Sequence, residues 1–236
     1  MKQIFILILL TTLFVKGICQ DFKYLKPNLT DSTEIVKKEI NSLNQFERIY
    51  YIDYRKNSEL KMSLINFGLI DKNSAKSLNQ TFTGILKNMA TKPNRKLTPL
   101  PEKWVKIFKY KNNWILYNDL PKYSLTDSCL ITFPMDDPYP SIIADYKNDN
   151  QKYEFRLLSY NWENPEVNIN ETLEIKIVDE KRKIFLWKFS HENQITYSLM
   201  IPTEYVKNFP VMNILTTDSM GDEDEIFDKM DYRKYE

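Results

Sequence analysis

From Trp104 to Thr217 the chain keeps returning to a period of two. In KYEFRLL (152–158), Tyr153, Phe155 and Leu157 alternate with Lys152, Glu154 and Arg156. TLEIKIV (172–178) sets Leu173, Ile175 and Ile177 against Glu174 and Lys176, and ITYSLMI (195–201) sets Ile195, Tyr197, Leu199 and Ile201 against Thr196, Ser198 and Met200. Side chains on a strand point alternately to opposite faces, so each run has an inside and an outside. WVKIFKY and WILYND flank Lys111-Asn112-Asn113, a predicted hairpin turn. The spacing predicts about eight to ten short strands in 104–217, which suits a meander, sandwich or barrel.

Before Trp104 the pattern differs. Ile35, Val36, Ile40, Leu43 and Phe46 recur at intervals of three and four, which predicts a helix from Thr33. ERIYYIDYRK (47–56) fits either state, and its tyrosines and isoleucines favour a strand. A helix is expected from Asn57-Ser58 to Gly68, and another from Asp71 carrying Ala75, Leu78, Phe82, Ile85, Leu86 and Met89. TKPNRKLTPLPEK (91–103), with three prolines, reads as a connection. The expected fold class is therefore α+β: N-terminal helices followed by a mainly antiparallel β barrel or sandwich. The divisions are a signal peptide at 1–19, a mainly helical region and linker at 20–103, an antiparallel β domain at 104–217 and an acidic tail at 218–236.

The first division rests on Lys2, the apolar run Ile4–Val15, and small residues at Gly17 and Cys19 ahead of Gln20. These read as an export signal cleaved after Cys19, the run being short of the ~20 residues a membrane span needs. The expected location is secreted or periplasmic, with no membrane span after cleavage. Loss of Lys2 and Lys16 takes Lys+Arg from 33 to 31 against 32 acids, a formal charge of −1. A nearly neutral protein has no broad attraction to nucleic acid. Cys129 alone remains, so no internal disulfide is expected, and its place in SCLITF suits a small buried hydrophobe. Asn28, Asn79 and Asn170 match the N-x-[ST] acceptor pattern, which matters only in a host that glycosylates exported proteins.

The chemistry-bearing residues are sparse. Four glycines leave neither G-x-G-x-x-G nor G-x-x-x-x-G-K. His191 is the only histidine and lies in SHENQ, a predicted turn, so neither a His/Cys zinc site nor a Ser-His-Asp triad is expected. DSMGDEDEIFD (218–228) lacks the EF-hand ligand spacing and reads as a solvated tail. No cofactor, metal or catalytic set is predicted. The exception is PMDDPYP (134–140), between the strand-like runs DSCLITF and SIIADYKN. Its prolines predict a rigid connection outside the sheet. Asp136 and Asp137, with Tyr139 as a stacking wall, form a candidate ligand site at a barrel mouth, to which Trp114 and Trp187 add aromatic surface.

The layout resembles lipocalin-like barrels in architecture, without their Gly-x-Trp signature. The export signal, the aromatic-rich strands and the lack of a catalytic set lead to the expectation of a non-enzymatic binding protein for a small apolar or sugar-like molecule. Two other readings stand beside it. One is an envelope interaction or structural module with a filled core and a protein partner. The other is a carboxylate hydrolase pairing Asp136 or Asp137 with Asp145, Glu154 or Glu174.

Overall fold

The computed structural model describes residues 32–40, 47–66, 100–118, 121–126, 129–133, 139–149, 152–160, 168–192, 194–215 and 226–236. Twelve strands and one short helix make up most of them. The order is β1 (Thr33–Ile40), β2 (Glu47–Asp53), α1 (Glu59–Ile65), β3 (Lys103–Tyr110), β4 (Asn113–Tyr117), β5 (Lys122–Leu125), β6 (Cys129–Phe133), β7 (Tyr139–Asn148), β8 (Lys152–Tyr160), β9 (Asn168–Asp179), β10 (Ile184–His191), β11 (Gln194–Pro202) and β12 (Val211–Leu215). A 3₁₀ turn, Thr203–Asn208, separates the last two strands.

Eight of the strands close into an antiparallel barrel in the order β3-β11-β10-β9-β8-β7-β6-β5, with β5 returning to β3. The closure depends on β3, whose one edge is divided. Lys103–Val105 pair with β5 and seal the barrel, whereas Ile107–Tyr110 pair with β4 and start a second sheet, β1-β2-β12-β4-β3. In that second sheet β12 runs parallel to β4, and the other pairs are antiparallel.

Local chemistry explains several of these elements. Lys111 and Asn112 form the β3–β4 turn with φ of 48° and 63°. Positive φ at both central positions is what a two-residue hairpin needs to match the twist of its strands. Ser58 caps α1, its hydroxyl accepting from the Lys61 amide at 3.3 Å, so the predicted helix start holds.

The predicted helix from Thr33 is corrected to strand β1. Its register slips between Ile35 and Lys37 against β2, the mark of a β-bulge. One extra residue puts apolar side chains at adjacent positions 35 and 36, and this breaks the alternation and imitates helical spacing. Leu43, Phe46 and the helix expected at 71–89 lie outside the described residues, as do 1–19. The N-terminal region thus contributes two strands and one seven-residue helix among the described residues. Among these, no helix is long and apolar enough to cross a membrane. Pro140 is a second correction, since it lies within β7, opposite Ile131 of β6. Pairing of β7 with β8 begins only at Ser141, so Pro140 is not called on to donate to that neighbour.

The core has three main parts. Inside the barrel, Trp104, Leu125, Leu130, Ile143, Phe155, Leu157, Leu173, Ile175, Phe185, Trp187 and Met200 are all buried and in mutual contact. This is one face of the period-two pattern, and it fills the described interior. An eight-stranded barrel is just wide enough for such filling. A second cluster lies outside the barrel wall. Val105, Ile107, Ile184, Leu186, Leu199 and Ile201 are covered there by Leu64 of α1, Leu116, Val206, Phe209 and Val211. The more apolar face of β11 therefore points out of the barrel, because the helix and the 3₁₀ turn cover it. The third cluster, Ile52, Ile115, Tyr117 and Met212, lies on the second sheet.

Residues 226–236, read from the sequence as the end of an acidic tail, bind these clusters together. Phe227 stacks on Phe108 at 4.4 Å, and the Asp228 carboxylate accepts from the amides of Lys111 and Asn112 at 3.1 and 2.9 Å. Tyr232 stacks on Tyr197, and the Glu236 carboxylate meets Lys188 at 2.9 Å. Because β1 and β2 cover an edge of β12, a fragment starting at residue 100 leaves Met212 and Ile214 partly uncovered. That fragment is expected to melt well below the whole chain, and equal melting temperatures would show that β1 and β2 add nothing.

Candidate ligand-binding cleft

The five sequence-selected site residues fall in different places. Asp136 and Asp137 lie outside the described residues, in the connection between β6 and β7. Tyr139 opens β7 at the same end of the barrel and is 43% exposed. It lies close enough to Tyr123 to act on it: burial first, and then Tyr139, pushes the Tyr123 phenol up to about 12. Tyr123 in turn packs on Trp187 at 5.5 Å. Trp187 is fully buried in the barrel, and its indole N–H has no acceptor among the described residues. Trp114 lies elsewhere, on β4 of the second sheet.

Of the carboxylates expected as hydrolytic partners, Asp145, Glu154 and Glu174 are among the described residues. Glu154 and Glu174 are cross-strand neighbours on the outer wall, and Lys152 bridges them at 3.9 and 2.6 Å. Asp145 follows the bulge in β7 and accepts from the Tyr146 amide. His191 sits at the end of β10 facing the carbonyl of Asn170 at 3.2 Å. Cys129 is buried, and burial pushes its thiol up. Among the described residues no three His, Cys, Asp or Glu side chains are grouped to hold a metal.

Trp114 lines a cleft of about 670 Å³ around the tip of the β3–β4 hairpin. Its walls are Glu34, Tyr54, the hairpin residues Lys109–Ile115, Arg182 and the end of the 3₁₀ turn, Asn208–Pro210. The cause is a strand that begins late. β12 lies between β2 and β4 and starts its pairing with β4 at Leu116, whose amide donates to the Pro210 carbonyl at 2.9 Å. Pro210 has no N–H to extend that ladder toward Trp114. Beyond it the chain turns into the 3₁₀ helix, and the space that more of β12 would fill stays open between β4 and the end of β2.

Polar and aromatic groups border this space from the two faces of the second sheet, Tyr54, Glu34 and Tyr110 on the side of Ile52 and Ile115, Lys109 and Trp114 on the side of Ile107 and Leu116. The Tyr54 hydroxyl donates to Glu34 at 2.7 Å, and burial followed by that carboxylate pushes the Tyr54 phenol up to about 12. The Lys111 ammonium lies 3.7 Å from Glu34 and 4.9 Å from the Tyr110 ring centre. The Lys109 ammonium lies 4.9 Å over the ring of Trp114. Arg182 is anchored by Asp179, which accepts from its amide at 2.9 Å and its guanidinium at 2.8 Å. Rings beside amides and charges suit a ligand with both flat apolar faces and polar edges.

From the sequence, Lys111-Asn112-Asn113 was legible as a turn, and Trp114 was expected as an aromatic part of a ligand site at the barrel mouth. Tyr54, Glu34 and Arg182 were missed. They are 55 or more residues from the hairpin in sequence, and no local pattern connects them. No protein-family model matches the chain, and neither the curated proteins nor the solved structures contain a significant match.

Proposed function

We propose that this is an exported, non-enzymatic binding protein whose barrel serves as a scaffold and whose outer cleft holds a small sugar-like molecule. The observation that carries the reading is that Trp114, Tyr54 and Tyr110, with Asn112, Asn113 and Glu34, line one cleft of about 670 Å³. Such a volume falls within the range of small-molecule sites. The described barrel interior is occupied by side chains, which favours the outer cleft over the barrel lumen. Export rests on the sequence of residues 1–19. Intact mass of the exported protein is expected to start at Gln20, and a mass that includes residues 1–19 overturns that part.

The binding claim is tested by calorimetric titration with a panel of mono- and oligosaccharides. At least one is expected to bind, and Trp114→Ala is expected to weaken it about tenfold or more at a temperature where circular dichroism shows the variant folded. A panel without a single binder overturns the proposal, as does a Trp114→Ala variant that binds normally. The filled barrel also favours a second reading, an interaction module. That reading requires a stoichiometric protein partner in native mass spectrometry of material purified from its own host.

A further inference from the structure

Three cations and one carboxylate line the cleft: Lys109, Lys111 and Arg182 against Glu34. Each has a distinct setting. Lys111 is two-thirds exposed and shares the single acid, Glu34, with Tyr54. Arg182 gives one terminal nitrogen and its amide to Asp179, which leaves further guanidinium N–H groups for another acceptor. Lys109 has no carboxylate partner among the described residues, and its ammonium rests on the face of Trp114. Asp228 is also close to the hairpin tip, but the amides of Lys111 and Asn112 occupy its oxygens.

These settings bear on what can stack on Trp114. One face of the Trp114 ring is covered by a cation. A neutral ring on that face must displace Lys109 and forfeit the contact between its ammonium and the indole face. An anionic ring supplies a counter-charge as it takes the face, so displacement is offset at the moment of binding. We infer that the cleft selects an anionic saccharide, a ring whose carboxylate, sulfate or phosphate is taken by Lys109, with Lys111 and Arg182 at the rim. This inference rests on the binding reading above and narrows it.

The experiment is calorimetric titration of the full-length mature chain with four probes: glucose, glucuronate, glucose 6-sulfate and glucose 6-phosphate, together with neutral and uronate-containing oligosaccharides. At least one acidic probe is expected to bind about tenfold or more tighter than its neutral parent, with affinity falling as salt is raised from 20 to 300 mM on the order expected for screened ion pairs. Which acid binds best identifies the anionic group. Lys109→Gln is expected to abolish most of that preference while retaining weak binding of the neutral parent, and Trp114→Ala to weaken both. Lys111→Gln provides a second variant, expected to lower acidic binding by a smaller factor. Neutral sugars binding as tightly as acidic ones overturns the inference and leaves the binding reading standing. An unchanged acidic preference in both lysine variants also overturns it. Failure of every neutral and acidic probe removes the binding reading as well.

Discussion

Trp104→Ala is expected to cost about 4 kcal/mol of folding stability, close to the middle of the range for emptying a buried aromatic site. For a chain of this size the melting temperature then falls by roughly 10 °C. Trp104 is fully buried where β3 joins β11 on one side and β5 on the other. Its ring meets Phe185 edge-on at 4.9 Å and Trp187 at 5.4 Å, so truncation opens a cavity at the seam of the barrel. The two tryptophans differ in one respect. Trp104 donates its indole N–H to the Pro101 carbonyl at 2.6 Å, whereas the Trp187 N–H has no acceptor among the described residues. Replacement by phenylalanine therefore removes a hydrogen bond at 104 and relieves an unmet donor at 187. Trp104→Phe is expected to be about 1–2 kcal/mol more destabilising than Trp187→Phe in urea denaturation. Equal losses would show that the Trp187 donor is satisfied in solution.

The second large effect is expected at Asp53, the last residue of β2 and fully buried. One carboxylate oxygen accepts from the Arg55 amide and Nε, both at 2.9 Å, and the other from Arg55 Nη2 at 2.7 Å. Lys61, only 2% exposed, is also within its electrostatic reach. Burial alone would raise the Asp53 pKa, but the Arg55 side chain, amide and charge, with the Ser58 hydroxyl, hold it below the usual carboxylate range. Asp53→Ala leaves Lys61 buried without that counter-charge and frees the β2–α1 connection, at a cost of about 3 kcal/mol. Arg55 is half exposed and regains water, which keeps the loss from being larger. The sign with pH follows from the depressed pKa. The stabilisation is fully present above the unfolded carboxyl value near ~4 and is lost as pH falls through the lower folded value. Acid unfolding followed by circular dichroism is expected to show a shallower loss below about pH 4 in Asp53→Asn than in the native chain. An identical acid profile for the two would remove Asp53 from the account of acid stability.

Periodicity by itself marked most of the barrel's strands and left barrel or sandwich open. Phe155, Leu157, Leu173 and Ile175 line the interior as their alternation requires, and the turn at Lys111-Asn112 falls where the residue types allow positive φ. Ser58 marked the start of α1 for an equally local reason, a side-chain oxygen within reach of a helix amide. Tertiary structure decided the rest. A bulge in β1 gave a strand the spacing of a helix, and pairing with β2 determined the outcome, since a short segment takes the state its neighbours can hydrogen-bond. Alternation divides β11 into two faces but does not say which one looks inward. That was set by α1 and the 3₁₀ turn, whose apolar side chains cover the barrel's outer wall. The cleft was least legible of all. Its tip is local, but Glu34, Tyr54 and Arg182 reach it only because β12 enters between β2 and β4 and its pairing stops at Pro210. Contacts between residues so far apart are fixed by strand order and register, and these emerge only when the two sheets assemble around β3.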